Sequence, residues 1–452
     1  MLEPADSEEA RVFAKRAYEL SEKFNTPVFL KMCTRVAHSQ SVVNTEERIV
    51  PEQVPYKKDP TKVMMTKNSR DAHVRVEQRT KDLIAFAENC DLNRVEMGDT
   101  SIGFITSSTS YQYAKEVYGD NASYLKLGMI WPLPEKLILD FAEHVDKVVV
   151  LEELDPFIEN HCRKLGLEVV GKETFPICGE FSQNLVRTAL GGDAPEELAL
   201  ADEIPGRPPV MCAGCPHRGI FYILSKLKCM VYGDIGCYTL GNAMPLDMVD
   251  TCLCMGAGIT MAQGFHWIDG EGTCFGFVGD STFFASGMTG VVNAVYNNAD
   301  MILCVLDNST TAMTGHQPHP GIGRNMMGQF VDKVDIAKVL EGIGVHMIVT
   351  VNPLDLDASV AAVQECAKLP GVKAIIFKSP CIAISKPDGK CRISEQCINC
   401  KKCIREIGCP ALITVDGNVT IDENLCTGCG LCSQICPVHA IGGDTQKGGA
   451  TS

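Results

Sequence analysis

Residues 274–308 read CFGFVGDSTFFASGMTGVVNAVYNNADMILCVLDN, and the organisation of the chain follows from them. One apolar run, CFGFVG, ends in Gly279, Asp280 and Ser281; a helical stretch follows; a second run, DMILCVLDN, ends in Asp307 and Asn308. Short continuous apolar runs joined through a helix predict parallel, fully buried strands of an α/β sheet. Both turns then emerge at the carboxyl edge of that sheet, where such folds bind ligands. Neighbouring strands lie ~4.8 Å apart, so one Mg²⁺ with ~2.1 Å oxygen bonds can be held by both turns. Asp280 and Asn308 are its candidate side-chain ligands, with a main-chain carbonyl as a third. Gly279 has no side chain to keep a diphosphate away from the backbone. A Gly-Asp turn alone is most often a plain strand-to-helix turn. The Asn-containing turn fewer than thirty residues on makes it more specific.

Followed by TAMTGHQPHP (311–320), the two turns are similar to the pattern of thiamine diphosphate enzymes, in which a GDG-like turn precedes an Asn-containing one. That likeness marks Gly279, Asp280, Ser281, Asn308, Thr310 and Thr314, with Met255 and Gly256 of CMGAGI (254–259), as candidate cofactor contacts. Met255 would brace the thiamine ring, although packing in a core is the commoner fate of a methionine. His217, His316 and His319 sit on loops near these motifs and are candidates for moving protons or orienting substrate. Hydrogen-bonding or solvent-facing histidines are the plainer alternative.

Working outward, 452 residues leave room for about three domains. Residues 8–24 are helical in period, and TPVFLKM (26–32) reads as a short buried strand. Residues 51–90, with prolines and little periodicity, read as a linker. From Ser101 strands alternate with helices, which implies parallel βαβ packing over 91–195. The loop SSTS (107–110) before a helix either caps it or binds an anion. A further α/β unit covers 200–388, a small Cys-rich module 389–445, and a Gly-rich disordered tail 446–452.

Cysteine is the compositional outlier, at 23 residues, nine of them from Cys391 onward. In a large cytosolic protein this favours metal or catalytic roles over disulfides. Cys397, Cys400 and Cys403 are followed by Cys409 and Pro410; Cys426, Cys429 and Cys432 are followed by Cys436 and Pro437. In the bacterial ferredoxin arrangement three close cysteines hold one [4Fe–4S] cube and the distant one ligates the other. The spacing thus predicts Cys397, Cys400, Cys403 and Cys436 on one cube, and Cys426, Cys429, Cys432 and Cys409 on the second. Zinc ribbons also use CxxC pairs, but not triple runs each followed by Cys-Pro. Five residues, IREIG, precede Cys409 where the second repeat has three, an excess expected to displace Cys409 or change the exposure of its cluster. Upstream, Cys212 and Cys215 stand at ligand spacing and Cys237 at a strand end, which suggests more iron. Cys229, Cys252, Cys254, Cys274 and Cys304 read as buried small hydrophobes.

A formal net charge of −15 argues against a nucleic-acid partner. No apolar run approaches the ~20 residues of a membrane helix, and the first residues lack a signal-peptide pattern. A cytoplasmic location is the expectation.

CAGCPHRG (212–219), GDIGCYTLG (233–241), CMGAGI, GDSTFFASGMTG (279–290), the Asn-containing turn and the Cys-rich module together resemble the alpha subunits of indolepyruvate:ferredoxin oxidoreductases, within the thiamine-dependent 2-oxoacid:ferredoxin oxidoreductases. TRVAHSQS (34–41) and the stretch 125–159 look like the same subunit. The resemblance implies an α/β fold with parallel-sheet thiamine-diphosphate-binding and transketolase C-terminal-like domains, plus a small α+β ferredoxin-like 2[4Fe–4S] domain. It implies a third [4Fe–4S] cluster on Cys212, Cys215, Cys237 and Cys381, and Mg²⁺ on Asp280, Asn308 and the carbonyl of Thr310. The implied reaction takes an aryl pyruvate and coenzyme A to aryl-acetyl-CoA and CO₂, with reduction of a soluble ferredoxin. A smaller beta (gamma-type) subunit is the implied partner. Residues 1–50 resemble the C-terminal part of a pyrimidine-binding domain whose activating glutamate lies earlier. That segment is expected from a separate chain, or is missing through an incomplete or degraded gene. Two other readings stay open: a non-oxidative thiamine-dependent decarboxylase, and a non-catalytic electron-transfer subunit.

Overall fold

The computed structural model describes residues 1–196, 204–269, 273–386 and 389–443, and divides into two compact units, Met1–Glu203 and Ile204–Ser452. The expected tail, 446–452, lies outside the described residues. Among the described residues no helix is long and apolar enough to cross a membrane.

In the first unit the strands Gly103–Ser107, Ser123–Leu127 and Val148–Leu151 pair in parallel, and Arg94–Glu96 adds an antiparallel edge. Residues 1–30 do not stand apart from this sheet. Leu2, Phe13 and Leu20 share a core with Ala87, Leu92 and Met129. Two expectations change here. TPVFLKM is not a buried strand: Leu30 makes a single bridge to Leu2, while Phe29 is 72% exposed. The linker expected over 51–90 is helical in its second half, Thr66–Ala87. Its early turns are polar on nearly every side, which hides the period; only Leu83, Phe86 and Ala87 reach the core. The SSTS loop also faces a carboxylate, since Ser107 Oγ donates to Glu3 at 2.6 Å.

The second unit is built on a parallel sheet of five strands in the order Met230–Tyr232, Cys274–Gly279, Met301–Asp307, Val372–Lys378, Met347–Val351. Alternation along a strand sends successive side chains to opposite faces. Phe275, Phe277, Ile302, Cys304, Ile375 and Phe377 thus fall in one layer, and Cys274, Val278, Leu303, Val305, Ala374 and Ile376 in the other. The Cys-rich module is not an appendage. Cys391, Cys403, Ile407, Leu412, Leu431 and Ile435 belong to the first of these layers, together with Ile220 and Phe221 of the helix His217–Leu227. The extra residues before Cys409 are absorbed in a helical turn, Lys402–Ile407, which ends on Gly408 at φ 59°.

Lys126, on an inner strand of the first unit, is fully buried and pairs with Glu9. The Glu9 carboxylate also accepts from Arg94 Nη1 at 2.7 Å and from Ala5 N–H at 2.8 Å. Burial alone would raise the Glu9 carboxyl, but the Lys126 and Arg94 charges outweigh it and hold the group below its ordinary range. Glu9→Gln would leave Lys126 buried without a countercharge, and a loss of ~3–5 kcal/mol at pH 7 is expected in urea denaturation. Stabilisation by a depressed carboxyl is complete above its unfolded pKa and disappears as pH falls through the folded one. The deficit of Glu9→Gln should therefore shrink below about pH 4.3.

Candidate functional site

The strands Cys274–Gly279 and Met301–Asp307 run in register, Gly279 opposite Leu306, so the two turns emerge side by side at the carboxyl edge. Asp280, Asn308 and Thr310 are all buried there. Asp280 Oδ2 accepts from Ser309 N–H at 2.8 Å, and Asn308 Oδ1 accepts from Thr310 N–H at 3.2 Å. Thr311 Oγ1 donates to Ser281 Oγ at 2.9 Å, tying the turns together. His319 Nε2 lies 3.1 Å from Asp280 Oδ2, at ion-pair distance but not aligned for a hydrogen bond. No lysine or arginine pairs with Asp280 among the described residues. A buried carboxylate without a strong cation beside it, next to an amide oxygen, is a donor set that suits a hard divalent ion.

His217 contributes through Asn308. Burial pushes its imidazole down to about 4, so the ring is neutral at pH 7. Its Nε2 lies 3.3 Å from Asn308 Nδ2. As acceptor it takes the amide hydrogen and leaves Asn308 Oδ1 turned towards Thr310, which makes His217 an orienting group. The structure does not bring Thr314 and His316 into this cluster. Both are exposed on the loop after Asn308, where Thr314 Oγ1 donates to Gln317 Oε1 at 2.7 Å. Met255 is half exposed, and its carbonyl accepts from Ser286 Oγ at 3.2 Å.

Two residues that sequence reasoning passed over connect these parts. Asp234 is fully buried and accepts from Gly256 N–H at 2.6 Å and from Tyr238 Oη at 2.9 Å. Tyr238 Oη in turn accepts from Gly279 N–H at 2.9 Å. Burial raises the Asp234 carboxyl above its ordinary value, against the pull of these bonds. Gly256 stands at φ 88°, and a Cβ there would meet Ser286 Oγ at 2.8 Å. Within GDIGCYTLG, an Asp and a Tyr four apart around a turn are the signal that the sequence carries for this pair.

Cys237 comes within electrostatic reach of both Cys381 and Cys212, and Cys215 of both Cys212 and Cys237. Burial first, then those neighbouring thiols, pushes Cys215 up to about 12. Cys381 N–H donates to the Asn308 carbonyl at 2.9 Å, which joins this thiol set to the Asn308 turn. Cys252 and Cys254 are exposed rather than buried, because the segment TCLC lies on the loop leading to Gly256.

In the Cys-rich module, Cys397, Cys400, Cys403 and Cys436 line one cavity. Cys409, Cys426, Cys429 and Cys432 line a second, so the longer loop does not displace Cys409. A fifth thiol, Cys391, lines that second cavity, and its N–H donates to Cys426 Sγ at 3.3 Å. Nine cysteines in a module that needs eight was the signal for it. Ala213 and Gly214 complete the wall. Gly214 sits at φ 73°, where a Cβ would lie 2.0 Å from Thr427 Oγ1. The CAGC loop and the CTGC loop are therefore in contact. Among the described residues no three His, Cys, Asp or Glu side chains converge closely enough for a single metal ion.

Tyr238→Phe removes one hydroxyl and leaves both the buried Gly279 N–H and Asp234 Oδ2 short of a partner. A loss of ~1–3 kcal/mol in chemical denaturation is expected.

Comparison with known proteins agrees with this geometry. Residues 234–377 match the family described as thiamine pyrophosphate enzyme, C-terminal TPP binding domain, and residues 419–442 match the 4Fe-4S binding domain. The chain is therefore a thiamine diphosphate- and iron–sulfur-binding protein. It is 36% identical to the indolepyruvate oxidoreductase subunit IorA of Archaeoglobus fulgidus over 98% of its own length and 76% of that protein. The IorA subunit of Methanothermobacter thermautotrophicus matches with the same identity and coverage. The pyruvate synthase subunit PorD of Methanothermobacter marburgensis is 40% identical over 53 residues, 12% of this chain and 62% of that one. With this likeness over almost its whole length, the chain belongs to the IorA family of indolepyruvate oxidoreductase subunits.

Proposed function

We propose that this chain is the cofactor-bearing subunit of an enzyme that oxidatively decarboxylates an aryl pyruvate of the indolepyruvate type with coenzyme A. The products are aryl-acetyl-CoA, CO₂ and reduced ferredoxin. One observation supports this most directly. The Cys212, Cys215, Cys237 and Cys381 set lies between the two other sites, bonded to the Asn308 turn through Cys381 and touching the second cavity through Gly214. An enzyme that only decarboxylates has no use for an electron acceptor between its cofactor turn and a ferredoxin-like module.

In this reading Asp280, Asn308 and the Thr310 carbonyl hold Mg²⁺, and Gly279, Ser281, Met255 and Gly256 border the thiamine diphosphate. When bound, that cofactor supplies the reactive carbon and electron sink that loss of the carboxylate requires. The chain's own residues position it. Asp234 and Tyr238 fix Gly256 and Gly279, and His217 fixes the Asn308 amide. Three [4Fe–4S] clusters follow: Cys212, Cys215, Cys237 and Cys381; Cys409, Cys426, Cys429 and Cys432; and Cys397, Cys400, Cys403 and Cys436. Partners are a smaller beta (gamma-type) subunit and soluble ferredoxin.

Iron and thiamine in the anaerobically purified complex test the reading. About twelve irons and one thiamine per copy of this chain are expected, at four irons per cube. About eight irons, with Cys212→Ser changing nothing, would remove the third cluster and with it the oxidative reaction. The five thiols of the second cavity are sorted the same way: Cys409→Ser should cost about four irons and Cys391→Ser none.

A further inference from the structure

Arg218, the second residue of the helix His217–Leu227, is 3% exposed. Its guanidinium donates to four main-chain carbonyls. Nη2 reaches Met211 at 2.6 Å and Cys212 at 3.2 Å; Nη1 reaches Ile407 and Gly408, both at 2.9 Å. The first pair belongs to the loop of Cys212 and Cys215, and the second to the residues just before Cys409. One side chain thus spans the stretch between two thiol sets.

What this cation lacks is equally informative. No carboxylate lies within ion-pair distance of it among the described residues, and its Nε is buried without a partner. It also stands at a helix N-terminus, where the backbone dipole disfavours positive charge. Carbonyl groups take the hydrogen bonds of Nη1 and Nη2 but carry no net charge to balance the cation. A buried guanidinium is normally held by a carboxylate or phosphate in bidentate geometry. Here Cys215 lies within reach of its charge, and Cys409 directly follows the Gly408 carbonyl it holds; a thiol that ligates a metal is deprotonated, so each becomes anionic once its cluster is bound.

We propose that Arg218 is the shared countercharge of the cluster on the Cys212 set and the cluster on the Cys409 set, and that it raises the reduction potential of both. This rests on the function proposed above. When one electron leaves the first cube it is oxidised and the second is reduced. A fixed cation beside both favours the reduced form of each, so the pair stays matched as the electron moves. Cluster charge, hydrogen bonding and burial are the terms that set such potentials. Arg218 is a positioning and electrostatic residue, touching no substrate.

The test uses the complete complex, purified anaerobically, with Arg218→Gln and Arg218→Lys, read by iron content and EPR-monitored redox titration. Arg218→Gln is expected to keep its iron while both adjacent clusters become at least tenfold harder to reduce, ~59 mV for one electron. The cluster on the Cys397 set should not move, and Arg218→Lys, which keeps the charge, should recover most of the shift. Full iron with unchanged potentials in Arg218→Gln, or an equal shift of all three clusters, would overturn the proposal. If Arg218→Gln loses iron, the lysine variant decides. Intact clusters at potentials near wild type support the countercharge; lost iron, or clusters tenfold harder to reduce, show that the carbonyl bonds alone matter, and the proposal fails. About eight irons in the unaltered complex would instead break the reading on which it rests, before any variant is compared.

Discussion

The pairing of Cys274–Gly279 with Met301–Asp307 places Gly279 opposite Leu306, and that register is what the second unit depends on. Parallel strands end on one edge, so a carboxylate from one turn and an amide from the next become neighbours without any loop having to reach. Val372–Lys378 pairs on the far side of Met301–Asp307, and the chain leaving it passes the same edge. Ser379 N–H donates to the Asp307 carbonyl at 3.0 Å and Cys381 N–H to that of Asn308 at 2.9 Å. A slip of one residue in either ladder would turn every side chain to the other face and separate Cys381 from the Asn308 turn.

Around this edge the structure uses buried polar groups as fasteners. Asp234 and Tyr238 hold Gly256 and Gly279, His217 holds Asn308, and Arg218 holds two loops. Each of these groups is costly to bury unless its partners are in place, which makes the arrangement specific as well as stable. Small residues do the complementary work. Gly214 and Gly256, both in the left-handed region, allow close approach where a methyl group would collide with Thr427 or Ser286. The CAGC and CTGC motifs each place a glycine before their second cysteine, and in the first of them that glycine is the point of contact between the modules.

How much of this could be read from the chain alone depended on the range of the signal. The strand and helix order of the second unit followed from apolar runs and period. The crossed pairing of Cys403 with Cys436, and of Cys409 with Cys432, around separate cavities followed from spacing. Residues 66–87 were missed because a helix that is polar on nearly every side has no pattern to detect. TPVFLKM misled because apolar residues in a row look buried, whereas only Val28 and Leu30 pack inward and Phe29 does not. Thr314 and His316 follow Asn308 in one continuous motif, yet both are exposed on the loop beyond it, and exposure is something spacing does not record.

Motif chemistry, then, was a property of the sequence by itself: thiols at ligand spacing, an acid and an amide at the ends of two apolar strands, and glycines where backbone must come close. These are local, and residue type with spacing determines them. Tertiary structure alone decided the rest: that Cys381 meets the Asn308 turn, that Gly214 rests on Thr427, that Cys391 joins four other thiols, and that Arg218 bonds to the carbonyls of two loops at once. Those contacts join residues far apart in the chain. They exist because the sheet brings its strand ends to one edge and the Cys-rich module shares that sheet's core, and no spacing within a motif records either fact.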